Sequence, residues 1–284
     1  MGDLLYTSNY IFPNGDSYSG YYSNGKLNGT GKYTWTNGDF YEGDFVEDNR
    51  TGKGKYIWAN GNTYEGDFIA GKLTGKGKFV WANGDSYEGD FVNGQRTGNG
   101  KYKWASGNTY EGGFVEGRLV GQGRYTCVNG DAYEGTFIDG KLNGKGKYIW
   151  ANGDSYEGDF IASQRTGKGK YSFSNGNIYE GDFVDGKFMG KGKYIWTDGG
   201  TYEGDFVHGQ RAGKGKHVWA NGNVYEGEYK DDKRTGKGKI IWANGDVYEG
   251  EFLENKVTGY GTKTVNGEAQ TGYFEDGVLK EVKE

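Results

Sequence analysis

The 284-residue chain has one cysteine, one proline, two histidines and two methionines. A lone cysteine, Cys127, excludes a disulfide framework within the chain and points to a reducing, cytoplasmic setting rather than secretion. A lone proline, Pro13, excludes the collagen-like and proline-rich classes. His208 and His217, with no cysteine near them in sequence, supply no metal site, and no cofactor is expected. No apolar run approaches the ~20 residues that span a bilayer, and no signal-peptide pattern opens the chain. Basic residues are not in excess: 34 Lys and Arg face 39 Asp and Glu, a net charge of −5. A nucleic-acid binder is therefore not expected. Hydrophobic residues make up only 33%, thin for a two-layer core, yet aromatics reach 17%, which argues against disorder.

What the chain does have is repetition. All eight tryptophans, Trp35, Trp58, Trp81, Trp104, Trp150, Trp196, Trp219 and Trp242, are separated by 23 residues or a multiple of 23. The same frame places a tyrosine at every step from Tyr18 to Tyr248. A fixed period of this length is the signature of a repeat array, so function must lie on a repeated surface or at a break in the repetition.

Residues 41–63 serve as a specimen. Tyr41, Gly43 and Phe45 alternate with Glu42 and Asp44; Gly52, Gly54, Tyr56 and Trp58 alternate with Lys53, Lys55 and Ile57. Period 2 bounded by Gly and Asn predicts strands, and glycine at every second position argues against helix. Asn60-Gly61 predicts a hairpin turn. A two-residue loop would set Ile57 against Tyr64 and mix the faces. A three-residue loop, Asn60-Gly61-Asn62, sets Trp58 against Tyr64 and keeps aromatics and charges apart. The expected fold class is all-β, an elongated single-layer twisted antiparallel sheet of consecutive hairpins. One face is Tyr, Phe and Trp over Gly, and the other is Glu, Asp and Lys. Its parts are an N-terminal capping half-repeat (1–17), about eleven repeats with a degenerate last strand (18–274) and a charged tail (275–284).

The pattern Tyr-Glu-Gly-Asp-Phe, a further Gly, Gly-x-Gly and Trp-x-Asn-Gly resembles the MORN (membrane occupation and recognition nexus) repeat. One full copy is Tyr87, Gly89, Phe91, Gly94, Gly98 and Gly100. Departures include Ser163 for a loop glycine, and Gln270 and Thr271 for Tyr and Glu. The resemblance implies a hairpin scaffold of the kind found in ciliary, cytoskeletal and membrane-junction proteins, peripheral to a membrane or the cytoskeleton. It also implies end-to-end homodimers for some members. Relatives carry the repeat beside lipid kinase or methyltransferase domains. No such domain is present here, so no enzyme activity and no catalytic residue is expected.

Residues 66–73 almost spell a phosphate-binding loop, but Leu73 stands where Ser or Thr must hold magnesium and a strand follows instead of a helix. The lysine doublets, Lys168/Lys170 and Lys191/Lys193 among them, allow two readings. One is an acidic-lipid surface; the other, favoured by the negative net charge, is a ladder of salt bridges. The aromatic face is the stronger candidate for contact with an extended protein or peptide: Trp58, Tyr64, Phe68, Trp81, Tyr87, Phe91, Trp104 and Tyr110. The alternative is that these rings only hold the sheet together. Cys127 stands where tryptophan should, either as a notch in the aromatic row or as the seam between duplicated blocks. Loop residues alternate Leu27, Arg50, Leu73, Arg96 and Leu119, and this two-repeat rhythm slips at Leu142.

Overall fold

A computed structural model describes residues 3–282, so residues 1, 2, 283 and 284 of the two terminal segments lie outside it. Among the described residues there are 25 β-strands and no helix. Residues 1–141 and 142–284 form two compact units. Within each, strands pair antiparallel with their neighbours in sequence, as a run of hairpins. A strand at Leu5–Ile11 pairs with Ser17–Ser23. Another, Val278–Val282, lies inside the span read as a charged tail and pairs with Glu268–Glu275.

Two kinds of turn alternate. Phe40–Val46 joins Asn49–Ile57 through Glu47 and Asp48, both at positive φ (47° and 69°). This is a two-residue turn whose handedness matches the twist of the strands. Most equivalent turns end in glycine. Where they do not, the side chain ties the turn to the preceding repeat. Asp48 and Ser163 each accept the backbone N–H of a residue 21 positions earlier, Leu27 and Leu142.

The second turn corrects the expected register. Trp58 N–H donates to the Asn62 carbonyl and Gly61 N–H to the Trp58 carbonyl. The loop does hold three residues, but they are Ala59-Asn60-Gly61, with Gly61 at φ 88° in the left-handed final position. Sliding the loop by one residue moves the register by two. Tyr56, not Trp58, faces Tyr64; Gly54 faces Gly66; Lys53 faces Asp67. Parity survives, so the two faces stay distinct, and Trp58 leaves the strand for the turn.

In the repeats a seven-residue strand typically meets a nine-residue partner across a bulge. Between Gly89 and Asp90 the register jumps, pairing Gly89 with Gly100 but Asp90 with Thr97. Tyr87 lies flat across this defect. Its hydroxyl donates to the Asp90 carbonyl (3.1 Å), with the Thr97 carbonyl at 3.2 Å. Its ring sits so close to Gly89 and Gly100 that a Cβ on either would fall 2.5 Å from the Tyr87 hydroxyl oxygen. The paired glycines are the bed of the tyrosine, which is why each repeat needs both.

Candidate binding face

The aromatic face is built of two rows with different roles. The inner row is the core. Tyr64, Phe68, Tyr87, Phe91 and Tyr110 are buried, at 2% exposure or less. Their rings meet edge to face along the row: Tyr64 with Phe68 and Phe91 at 5.2 Å, Tyr87 with Phe91 at 5.1 Å and with Phe114 at 4.9 Å. Burial removes water from these phenols and pushes Tyr64 and Tyr87 up to about 12. All five are among the contact residues expected from the sequence. The tyrosines lie on the glycines, and all five rings keep at most a sliver of surface to offer a partner.

The outer row is open. Trp58, Trp81 and Trp104 are half-buried at the turns. They continue a zigzag of rings: Tyr56–Trp58 at 4.4 Å, Trp58–Phe79 at 5.2 Å, Phe79–Trp81 at 4.5 Å, Trp81–Tyr102 at 5.4 Å and Tyr102–Trp104 at 4.5 Å. Alternate repeats then differ. The Arg50 guanidinium lies over Trp35 (5.5 Å) and Tyr56 (5.0 Å), and that of Arg96 over Trp81 (5.3 Å) and Tyr102 (4.9 Å). Such stacking stabilises by roughly 0.5–2 kcal/mol. Trp58 and Trp104 instead wall a dimple each. One, about 240 Å³, is lined by Arg50, Tyr56, Trp58, Phe68, Lys72 and Leu73 among others; the other, about 290 Å³, by Arg96, Tyr102, Trp104, Arg118 and Leu119. Corresponding residues are 46 positions apart, so the Leu/Arg alternation of the loops reappears as a surface with a two-repeat period.

The turns are tied together by one side chain per repeat. Asp85 accepts the Tyr102 hydroxyl (2.8 Å) and the Ala105 N–H (2.7 Å), 17 and 20 residues on. Those bonds, the Ala105 N–H foremost, hold its carboxyl below the usual carboxylate range. Where asparagine replaces the acid the backbone bond persists, as from Ala82 N–H to Asn62. Asn62 faces Phe79, which has no hydroxyl, whereas Asn108 and Asn177 donate their amides to the Tyr125 and Tyr194 hydroxyls.

This clamp is missing at residue 200. At Gly200 the carboxylate is gone and its ring partner is His217, while Asp198 takes the place of the usual turn asparagine and accepts the Gly200 N–H as the asparagines do at other turns. His217 is buried between Trp196 (4.9 Å) and Trp219 (4.0 Å), stacked on both. Its ring Nδ1 is 3.3 Å from Arg211, which also binds Asp232 at 3.0 Å. Burial first, then the Arg211 and Arg234 charges, lower its pKa from 6.5 to about 4. The folded value is depressed, so the stability tied to neutral His217 is complete above pH ~6.5 and lost as pH falls towards 4. Urea titrations should show a loss of roughly 2 kcal/mol between pH 7 and 4.5, most of it absent in His217→Phe. Equal pH dependence in the two proteins would contradict this.

The lysine rows are partly paired within the sheet, and the paired lysines remain exposed to solvent. Lys53 reaches Asp67 at 2.6 Å, Lys168 reaches Asp182 at 2.6 Å and Lys191 reaches Asp205 at 2.7 Å. Lys170 meets Glu180 at 2.9 Å, and Lys193 stands opposite Glu203 in the register. The same aspartates hold the bulge: the Lys76 N–H donates to Asp67 at 3.0 Å. Cys127 is half-buried in the tryptophan position, its N–H donating to the Asp131 carbonyl as the tryptophans do at their own turns. Burial raises its thiol pKa, with Tyr133 and Asp131 as smaller, opposed influences. Among the described residues no group of three or more His, Cys, Asp or Glu is placed to hold a metal ion.

The MORN repeat family model matches eleven consecutive segments: 18–40, 41–63, 64–86, 87–109, 110–132, 133–155, 156–178, 179–201, 202–224, 225–247 and 248–267. None of the curated proteins matches the sequence. Among solved structures, the TCP10 domain of Danio rerio CPAP, in complex with a peptide of Danio rerio STIL, is similar at 10% identity, over 84% of this chain and 95% of that one, with a TM-score of 0.39. The SAS-4 (dCPAP) TCP domain of Drosophila melanogaster, in complex with a proline-rich motif of Ana2, is similar at 17% identity, over 55% and 85%, with a TM-score of 0.36.

Proposed function

Because the chain belongs to the MORN repeat family, a family of repeated hairpins, we propose that it is a non-enzymatic scaffold that binds an extended protein or peptide along its outer aromatic row. The observation that carries this reading is the pair of equivalent dimples walled by Trp58 and Trp104. Tryptophan and tyrosine give large contact area at small entropic cost, and arginine beside them adds directional donors. The inner rings support the surface, and contact falls to the indoles, Arg50, Arg96 and the dimple linings.

In this reading the absence of an indole at Cys127 ends the row within residues 1–141, a notch beyond which a partner finds no further stacking surface. A copy-to-copy contact uses the terminal strands, since Leu5–Ile11 presents exposed Leu5, Tyr6, Tyr10 and Ile11, and an unpaired edge accepts a strand from a second chain. The acidic-lipid alternative gains no such support, because aspartates and glutamates already face the lysines.

Selection of binders from a random-peptide library on the intact chain tests the proposal. The selected peptides should lose at least tenfold in affinity to Trp58→Ala or Trp104→Ala and keep it on charge reversal at Lys168 and Lys191. Binding that ignores both tryptophans would remove the aromatic row from the account.

A further inference from the structure

We propose that the segment bound there is a polyproline-II-like stretch that seats apolar side chains six residues apart, one in each dimple, with an acidic side chain midway. This inference rests on the scaffold reading above and adds the partner's conformation and spacing.

The spacing comes from the sheet. Four strand steps separate the dimples, and at ~4.8 Å per step they lie about 19 Å apart. A ligand linking them runs across the strands, over a face whose backbone N–H and C=O groups are taken by the ladder. It gains no main-chain pairing there. An α-helix covers 19 Å in about 13 residues, which turns the second side chain roughly half a turn away from the first. An extended strand covers it in about six residues, but its third residue faces away from the sheet. A polyproline-II segment advances about 9.3 Å in each three-residue turn and keeps its backbone solvated. It therefore presents residues i, i+3 and i+6 to one side, in step with every repeat rather than every second one.

The chemistry of the three positions differs. Leu73 and Leu119 line the dimples with Trp58 and Trp104, which suits an aliphatic side chain or proline. Midway stands Trp81, covered by the Arg96 guanidinium. Arg50 and Arg96 bond the turn carbonyls of Gly71 and Gly117 rather than carboxylates, whereas Arg211 is held by Asp232. An acidic residue at i+3 would meet a guanidinium that forms no ion pair among the described residues, although the Asp85 carboxylate lies near enough to feel its charge. The pattern also belongs to this unit in particular. At the corresponding lining position in residues 142–284, Phe188 stacks on Tyr179 at 3.8 Å and occupies the space with its own ring.

The test uses two synthetic polyproline peptides on the intact chain, followed by tryptophan fluorescence. One carries leucines six apart with glutamate midway; the other carries the same residues with the leucines five apart. The first should bind at least tenfold more tightly. Leu119→Phe, which installs the ring that Phe188 supplies natively, should weaken it by a similar factor with an unchanged melting temperature. Equal affinity for both peptides, including no binding by either, overturns the inference, as does binding indifferent to Leu119→Phe. If library-selected peptides still depend on Trp58 and Trp104 in that case, only the spacing has failed. If they do not, the scaffold reading falls with it.

Discussion

Alanine at Gly100 is expected to destabilise residues 1–141 by about 3 kcal/mol, at the top of the range for overpacking a tight site. The added Cβ would fall 2.5 Å from Cε2 and Oη of Tyr87 and 2.6 Å from its Cζ. That ring cannot swing aside cheaply: Phe91 and Phe114 hold its edges and its hydroxyl is bonded at the bulge. Exposed glycines at strand positions usually gain from substitution by alanine, so the sign itself is informative. Urea denaturation of the intact chain measures the effect. A change within ~0.5 kcal/mol would mean that the tyrosine does not rest on the glycine bed.

Tyr87→Ala should cost more, about 4 kcal/mol, as for other buried aromatics cut to alanine. It strips two ring contacts, exposes two glycines and leaves the Asp90 and Thr97 carbonyls at the bulge without their donor. Tyr87→Phe isolates the hydroxyl and should cost about 1 kcal/mol. Because Gly100 and Tyr87 touch, Gly100→Ala should add little once Tyr87 is alanine. Additive costs in that double variant would show that the two sites act independently and would contradict the packing described here.

These two residues also show how far the sequence can be read. Period 2 in both runs of the repeat, with charge on one side and rings on the other, is enough to specify hairpins with unlike faces. A ladder of lysine against acid follows from the same parity, but not its pairing: the expected loop sets Lys55 against Asp67, where the fold sets Lys53. The turn differs from expectation by one residue, because Asn60-Gly61 does not open the three-residue loop. A loop of this kind ends on its left-handed residue, so Gly61 closes it and Trp58 is released from the strand. Which rings are buried is hidden for a related reason. Tyr and Trp read alike as aromatic, and only the pairing of glycine with glycine across strands shows which ring finds a bed. The dimples are out of reach, since Arg50 and Leu73 are brought together by the fold and not by the chain. The missing clamp is partly visible: Gly200 and His217 each depart from the repeat, but the stacking of His217 between Trp196 and Trp219 appears only once the turns are stacked. A further regularity is plain in the sequence without revealing its place. Val46, Ile69, Val92 and Val115 recur at 23 residues just before the two-residue turns and stand exposed on the lysine face.

The most direct measurement of the central claim follows the indole N–H signals of all eight tryptophans by NMR while a library-selected peptide is titrated into the intact chain. The largest shifts should belong to Trp58 and Trp104, smaller ones to Trp81, and little should change at Trp219 and Trp242. Silent indoles, with shifts gathered instead on the backbone amides of the lysine rows, would place the partner on the opposite face and contradict the account.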